Sequence, residues 1–175
     1  MEPIVILSCT NRPQSNTLKV SSIYKNLLLE MGHEAKLFDL CELPHNIAFS
    51  ETFGKRSPEF TKLINEYVTP FSRFVFVLPE YNGSFPGILK TFIDSTRPRE
   101  WTNKYACLVG VADGRAGNLR GLEHLTGILN YLKVHVYHNK LPISAITNII
   151  SNKGEFVNSA QLNACRDQLQ GFLVF

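Results

Sequence analysis

Phe74-Val75-Phe76-Val77-Leu78 runs directly into Pro79-Glu80-Tyr81-Asn82-Gly83-Ser84-Phe85-Pro86-Gly87. Five consecutive apolar residues, mostly β-branched or aromatic, have the length and composition of a strand buried on both faces. The prolines and glycines that follow stop it. Pro86 can open a helix whose buried positions are Leu89, Phe92 and Ile93. The same succession of strand, loop and helix recurs along the chain. Ile4-Val5-Ile6-Leu7 reads as a first buried strand, with Val20, Ile23, Tyr24, Leu27, Leu28 and Met31 as one face of the helix behind it. Gly32 ends that helix. Ala35 to Leu40 is a second, less apolar strand nearer an edge. Ser57-Pro58-Glu59 supplies an N-cap, a proline at N1 and an acidic first turn for a helix bearing Phe60, Leu63, Ile64, Tyr67 and Val68.

Tyr105 to Ala112 is a fourth strand, followed by the turn Asp113-Gly114-Arg115-Ala116-Gly117-Asn118 and a helix marked by Leu119, Leu122, Leu125, Leu129 and Leu132. Val134 to Tyr137 is a fifth strand, and Leu162, Cys165, Leu169, Phe172 and Leu173 mark a last helix. Helices between successive strands require parallel pairing and right-handed crossovers, with helices on both faces. The expected fold is therefore α/β: one domain over residues 1–175, a three-layer αβα arrangement around a five-stranded parallel sheet in the order 2-1-3-4-5. Asn139 to Val157 carries no periodicity that assigns it, and Lys140-Leu141-Pro142-Ile143 reads as an irregular extension.

The chain has 175 residues, 44% of them hydrophobic and 19% charged, which excludes disorder. Its formal charge of +3 is too small to indicate a nucleic-acid partner. No apolar run approaches the roughly 18 residues of a membrane span. Met1-Glu2-Pro3 followed by Ile4 to Leu7 lacks the basic and long apolar regions of a signal peptide. Cys9, Cys41, Cys107 and Cys165 form no Cys-x-x-Cys, and the five histidines show no metal spacing. A cytoplasmic protein with no metal site is expected.

In an open sheet of this kind a ligand binds outside the carboxyl ends of the strands, at the switch point between strands 1 and 3. Three loops converge there. The first, Ser8 to Thr17, offers hydroxyl and amide groups, Arg12 and a helix start, which suits a phosphate as well as it suits simple capping. It lacks the glycines and lysine of a Walker loop and the Gly-x-Gly-x-x-Gly of a dinucleotide fingerprint. Strand 1 ends in no acid, unlike a phosphoryl-accepting receiver. Cys9 is followed five residues on by Ser15, not by the arginine of a Cys-x5-Arg phosphatase loop, and reads as a small loop residue. The second loop, Pro79 to Gly87, mixes rigid and flexible residues with aromatic surface, and fits either a planar heterocycle or an ordinary connection. Arg97, Pro98, Arg99 and Trp101 fit a phosphorylated nucleotide, a subunit contact or a solvated loop.

Pro79-Glu80-Tyr81-Asn82-Gly83-Ser84, continuing through Pro86-Gly87, Leu89-Lys90 and Asp94, resembles the hallmark stretch of the NADPH-dependent FMN reductase family. That family has the flavodoxin-like fold and includes quinone, azo-dye and chromate reductases. The first loop fits its Gly-Ser-x-Arg-x-x-Ser with Thr10, Arg12 and Ser15, and Asp113-Gly114-Arg115-Ala116-Gly117 stands where the family has a glycine-rich turn. The likeness spans about residues 3 to 137. By this resemblance, Thr10, Arg12, Ser15, Asn16 and Thr17 hold the FMN phosphate. Pro79, Glu80, Tyr81, Asn82 and Gly83 lie along the isoalloxazine ring, and Asp113 and Gly114 meet its polar edge. Cys9 replaces the usual glycine, and Asp113 stands where small or hydroxyl residues are common. The resemblance implies an oxidoreductase that uses NADPH or NADH, passes electrons to a small-molecule acceptor, assigns no catalytic role to a side chain, and assembles as a homodimer or homotetramer. A flavodoxin-like electron carrier and a non-catalytic flavin-binding protein are the alternatives. The basic charge balance disfavours the carrier.

Overall fold

A computed structural model describes residues 3–175; Met1 and Glu2, which begin the stretch read above as no leader, lie outside the described residues. β1 (Ile4–Ser8), β2 (Ala35–Asp39), β3 (Arg73–Pro79), β4 (Tyr105–Val111) and β5 (His135–Val136) form a parallel sheet in the order β2-β1-β3-β4-β5. The expected order holds, with one addition. β6 (Leu141–Ile143) also pairs with β4, so the fifth strand comes in two pieces. β5 lies beside Tyr105 and Ala106, and β6 beside Val109 to Val111. Residues read as an irregular extension are thus an edge strand, where the missing N–H of Pro142 is tolerated.

Helices cover both faces. α1 (Asn16–Glu30) and α7 (Ser159–Leu173) pack on one side, where Val20, Tyr24, Leu27, Leu169 and Phe172 meet Ile4, Ile6, Val75 and Val77. α3 (Pro58–Tyr67), α4 (Gly87–Ser95) and α5 (Leu119–Tyr131) pack on the other, against Val5, Leu7, Phe74, Phe76 and Leu78. β3 alternates between the two cores, which is why its sequence is apolar at every position. α2 (Ile47–Ser50) and α6 (Ile146–Ile149) are single turns.

The local chemistry of the helix ends follows the sequence. Ser15 and Ser57 accept from the N–H of Leu18 and Phe60, each at 3.1 Å, and start α1 and α3. Gly32, at φ 82°, closes α1 with bonds from Gly32 N to Leu29 O and from His33 N to Leu28 O, a Schellman ending. One sequence reading is corrected: Trp101 belongs to no ligand site or subunit contact. Its ring is fully buried 5.4 Å from Phe74 and 5.9 Å from Phe76, and its Nε1 donates to Thr96 Oγ1 at 2.6 Å. An indole with its one donor satisfied is core.

Candidate functional site

The carboxyl ends of β1, β3 and β4 open into a cleft of about 430 Å³. Its walls come from three expected loops and one unexpected one. Arg12, Ser15, Asn16 and Thr17 line it from the first loop, Pro79, Glu80 and Tyr81 from the second, and Asp113 from the third. Thr10, Asn82, Gly83 and Gly114 do not line it. The fourth wall is Ile146 and Thr147 at the start of α6, which sequence reasoning did not include. A four-residue helix after a three-residue strand carries too little periodicity to be recognised.

The first loop holds its donors ready. Ser15 accepts from Leu18 N, which leaves its own hydroxyl proton free to donate. The N–H groups of Asn16 and Thr17, the first of α1, have no acceptor among the described residues, as expected at a helix start. Arg12 is exposed and makes no ion pair among the described residues. At the end of β1, the Ser8 hydroxyl is fully buried without a partner. Ser8 does not line the cleft, whereas Arg12, the Ser15 hydroxyl and the N–H groups of Asn16 and Thr17 do, and these suit an anion such as a phosphate. Thr10 serves the wall from behind: its Oγ1 accepts from Arg12 N at 3.2 Å and shares a 2.8 Å hydrogen bond with the Tyr81 hydroxyl, joining the first loop to the second. Cys9 is fully buried, its Sγ donates to Leu7 O at 3.4 Å, and burial pushes the thiol well above its ordinary range. It is no nucleophile.

The second loop is more committed than its composition suggested. Tyr81 and Ser84 exchange backbone bonds of 2.8 and 3.1 Å around Asn82 at φ 51° and Gly83 at φ 77°. Left-handed conformations at both central residues make this a type I′ turn, for which Asn-Gly is the favoured pair. Glu80 N–H is also spent, on Val111 O at 3.1 Å. The loop therefore offers a fixed surface, with the N–H groups of Glu80, Tyr81 and Ser84 already spent. Donors for a polar edge come from the loop after β4, where the N–H groups of Asp113 and Gly114 meet no protein acceptor. The Asp113 carboxylate accepts from Thr147 N at 3.0 Å, and hydrogen bonding from the Thr147 side chain and N–H holds its pKa below the usual value. Its charge thus serves the start of α6.

Asn118 locks these loops together. It is fully buried at φ 67°, and its Nδ2 donates to Leu78 O at 3.1 Å and Pro79 O at 2.9 Å. Glu80, half-buried, is the one acid of the cleft whose carboxylate makes no hydrogen bond or ion pair among the described residues. A cleft with anion donors at one end, a rigid Pro79–Tyr81 wall and unspent backbone N–H groups at the other has the donor set for a phosphorylated planar heterocycle such as FMN, and its residues fit that group.

Comparison with known proteins agrees. Residues 3–148 match the profile of the family described as NADPH-dependent FMN reductase. An NAD(P)H-dependent FMN reductase of Pseudomonas aeruginosa is 25% identical over 174 residues, covering 97% of this chain and 93% of its own. A 2-hydroxy-1,4-benzoquinone reductase of a Burkholderia species is 27% identical over 126 residues, 65% of this chain and 69% of that one. Among solved structures, the NAD(P)H:acceptor oxidoreductase FerB of Paracoccus denitrificans superposes with a TM-score of 0.82 at 19% identity, over 99% of this chain and 96% of that one, a likeness of fold.

Proposed function

The chain belongs to the NADPH-dependent FMN reductase family, an oxidoreductase family that takes FMN as cofactor and NAD(P)H as co-substrate, and from that premise we propose that the switch-point cleft is its FMN site and a quinone its electron acceptor. The observation that carries the reading is the meeting, in one cleft, of unspent phosphate donors from β1–α1 with the Pro79–Tyr81 wall and the N–H groups after β4.

Arg12, the Ser15 hydroxyl and the N–H groups of Asn16 and Thr17 hold the phosphate, with Thr10 fixing the loop from behind. Pro79, Glu80 and Tyr81 form the surface along the ring system, and the turn at Asn82 and Gly83 keeps that surface rigid. Asp113 and Gly114 meet the polar edge through backbone N–H groups. The chemistry FMN supplies when bound is acceptance of hydride from the nicotinamide and return of electrons to a second substrate. The protein's residues bind, orient and leave one face open for two flat substrates in turn; none is assigned as nucleophile or general acid. A quinone fits that open face, and the Burkholderia relative is named for such a substrate. Azo dyes, metal oxyanions and free flavin are the competing acceptors.

The whole chain acts in this reading as one flavodoxin-like domain in the cytoplasm, assembled as a homodimer or homotetramer. Phe49 and Phe53, 91% and 83% exposed around α2, are apolar surface that a second copy would cover. No helix among the described residues is long and apolar enough to cross a membrane.

Absorption spectroscopy tests the site: FMN added to the protein gives a perturbed flavin band that anaerobic NADPH or NADH bleaches, and Arg12→Ala weakens FMN binding by roughly tenfold or more, the loss of a charge-assisted phosphate contact. Absence of binding at micromolar FMN overturns the reading. Steady-state turnover with benzoquinone, an azo dye, chromate and free FMN then ranks the acceptors, with benzoquinone expected first.

A further inference from the structure

We propose that the groove between α3 and residues 97–104 is a second anion site, built for a small ligand carrying phosphate groups. It encloses about 620 Å³ and shares no lining residue with the switch-point cleft. Lys55, Arg56, Arg97, Arg99 and Lys104 line it, with Glu100 as the one carboxylate. Five cations against one acid leave an excess of four, where the whole chain has a formal charge of only +3.

The acid cannot neutralise the others, because it is already taken. Arg56 Nη1 and Nη2 hold the two Glu100 oxygens at 2.6 and 2.8 Å, both side chains being 13% exposed, and Arg97 N–H donates to Glu100 Oε2 at 2.7 Å. Arg56 Nε also donates to Ser95 O at 3.2 Å. Lys104 is 8% exposed, with Nζ donating to Val68 O and lying over the Phe74 ring. These residues form a fixed, buried floor.

Above it stand the exposed side chains of Lys55, Arg97 and Arg99, none of which makes an ion pair among the described residues. The facing wall is Thr61, Asn65 and Thr69, spaced four residues apart along and just beyond α3. They present hydroxyl and amide groups and no carboxylate. A merely solvated basic face interleaves both signs of charge. Here cations from three separate stretches of chain converge on one concavity, at an electrostatic cost that a bound anion offsets. Two guanidinium groups beside a lysine select phosphate, which an arginine fork takes bidentately. The groove is larger than one phosphate needs, which points to a ligand with more than one.

Calorimetric titration with inorganic pyrophosphate tests this on the FMN-saturated protein and again on the protein alone, so that failure of FMN to bind leaves the result readable. Wild type saturated with FMN is expected to show one saturable site, and on the protein alone the site is the one that depends on Lys55 and Arg99. Lys55→Gln combined with Arg99→Gln weakens it by at least about tenfold, and Arg12→Gln, in the other cleft, leaves it within about twofold. Neither Lys55 nor Arg99 supports the fold through a side-chain hydrogen bond or ion pair among the described residues, so the double variant keeps the wild-type melting temperature. Absence of saturable binding, retention of affinity in the double variant, or loss in Arg12→Gln each overturns the proposal.

Discussion

Asn118 is held in a left-handed conformation that favours glycine, and its amide reaches back across the fold to two carbonyls at the end of β3. The backbone strain and a buried Oδ1 without a donor offset part of what those two bonds contribute. Asn118→Ala keeps the strain and removes both amide bonds, while Leu78 O keeps its ladder bond from β4, so a loss of about 2 kcal/mol is expected in urea denaturation. Asn118→Gly removes the strain as well and loses about 1 kcal/mol less. Equal losses in the two variants would show that the conformation carries no cost. Both variants loosen the Pro79–Tyr81 wall, and FMN affinity falls with them. Asp113 titrates, which gives a second test. Its folded pKa is depressed by hydrogen bonding from the Thr147 side chain and N–H, so its contribution to stability is full above the unfolded value of about 4 and is lost as pH falls through the folded pKa. The stability difference between wild type and Asp113→Ala is therefore constant at neutral pH and shrinks in acid. A difference that grows in acid would contradict the bond. Neither role is legible in the sequence, where Asn118 and Asp113 are two members of a turn, and only the fold supplies Pro79 and Thr147 as their partners.

The helices show what can be read locally and what cannot. Ser57-Pro58-Glu59 and Gly32 declare a start and a stop because capping chemistry is contained within a few residues. The Asn82-Gly83 turn was equally local, yet its flanking ladder is a single bridge, too short for alternation to announce a hairpin. The end of α5 departs from the usual residue. Lys133 N donates to Asn130 O at 3.0 Å and Val134 N to Leu129 O at 2.9 Å, the Schellman pattern that closes α1, but the left-handed position at φ 61° is a lysine. Lys133 is exposed, and its side chain makes no ion pair among the described residues. Lys133→Gly removes the side-chain strain while both backbone bonds remain. We expect it to raise stability by about 0.5–1 kcal/mol, the left-handed penalty reduced by the added freedom of the unfolded glycine. A melting temperature that falls instead would mean that the lysine stem contributes packing greater than the strain.

At the scale of the molecule, strand order was legible because crossover geometry depends only on the alternation of elements, and the switch point followed from it. The fourth wall of the cleft was not, since Ile146 and Thr147 are placed by β6, which forms only because the edge strand breaks and resumes. That break has a consequence for β4. Tyr137 N bonds Ala106 O at 2.8 Å, and β6 takes up the pairing at Val109, which leaves a break in the edge strand beside Leu108. Gln168 of α7 fills the gap. Its Nε2 donates to Leu108 O at 3.0 Å and to Asn139 O at 2.7 Å, and its Oε1 accepts from the Tyr24 hydroxyl of α1 at 2.6 Å. One fully buried amide thus ties two helices to the interrupted edge of the sheet. In the sequence it is a polar residue beside Leu169 on an otherwise apolar helical face, a position that reads as solvent-facing. Gln168→Leu keeps the volume but takes one donor each from Leu108 O and Asn139 O and the Gln168 acceptor from the buried Tyr24 hydroxyl, at about 0.5–1.5 kcal/mol for each bond and not strictly additive. A total loss on the order of 2–4 kcal/mol is expected, a large part of the stability of a domain this size. Tyr24→Phe, which removes the hydroxyl, loses about 1–2 kcal/mol. In the double variant Gln168→Leu with Tyr24→Phe, the orphaned hydroxyl is gone, and the loss falls below the sum of the two singles. Strict additivity in urea denaturation would show that the amide and the hydroxyl do not act as one unit, and that the break in the edge is held by β6 alone.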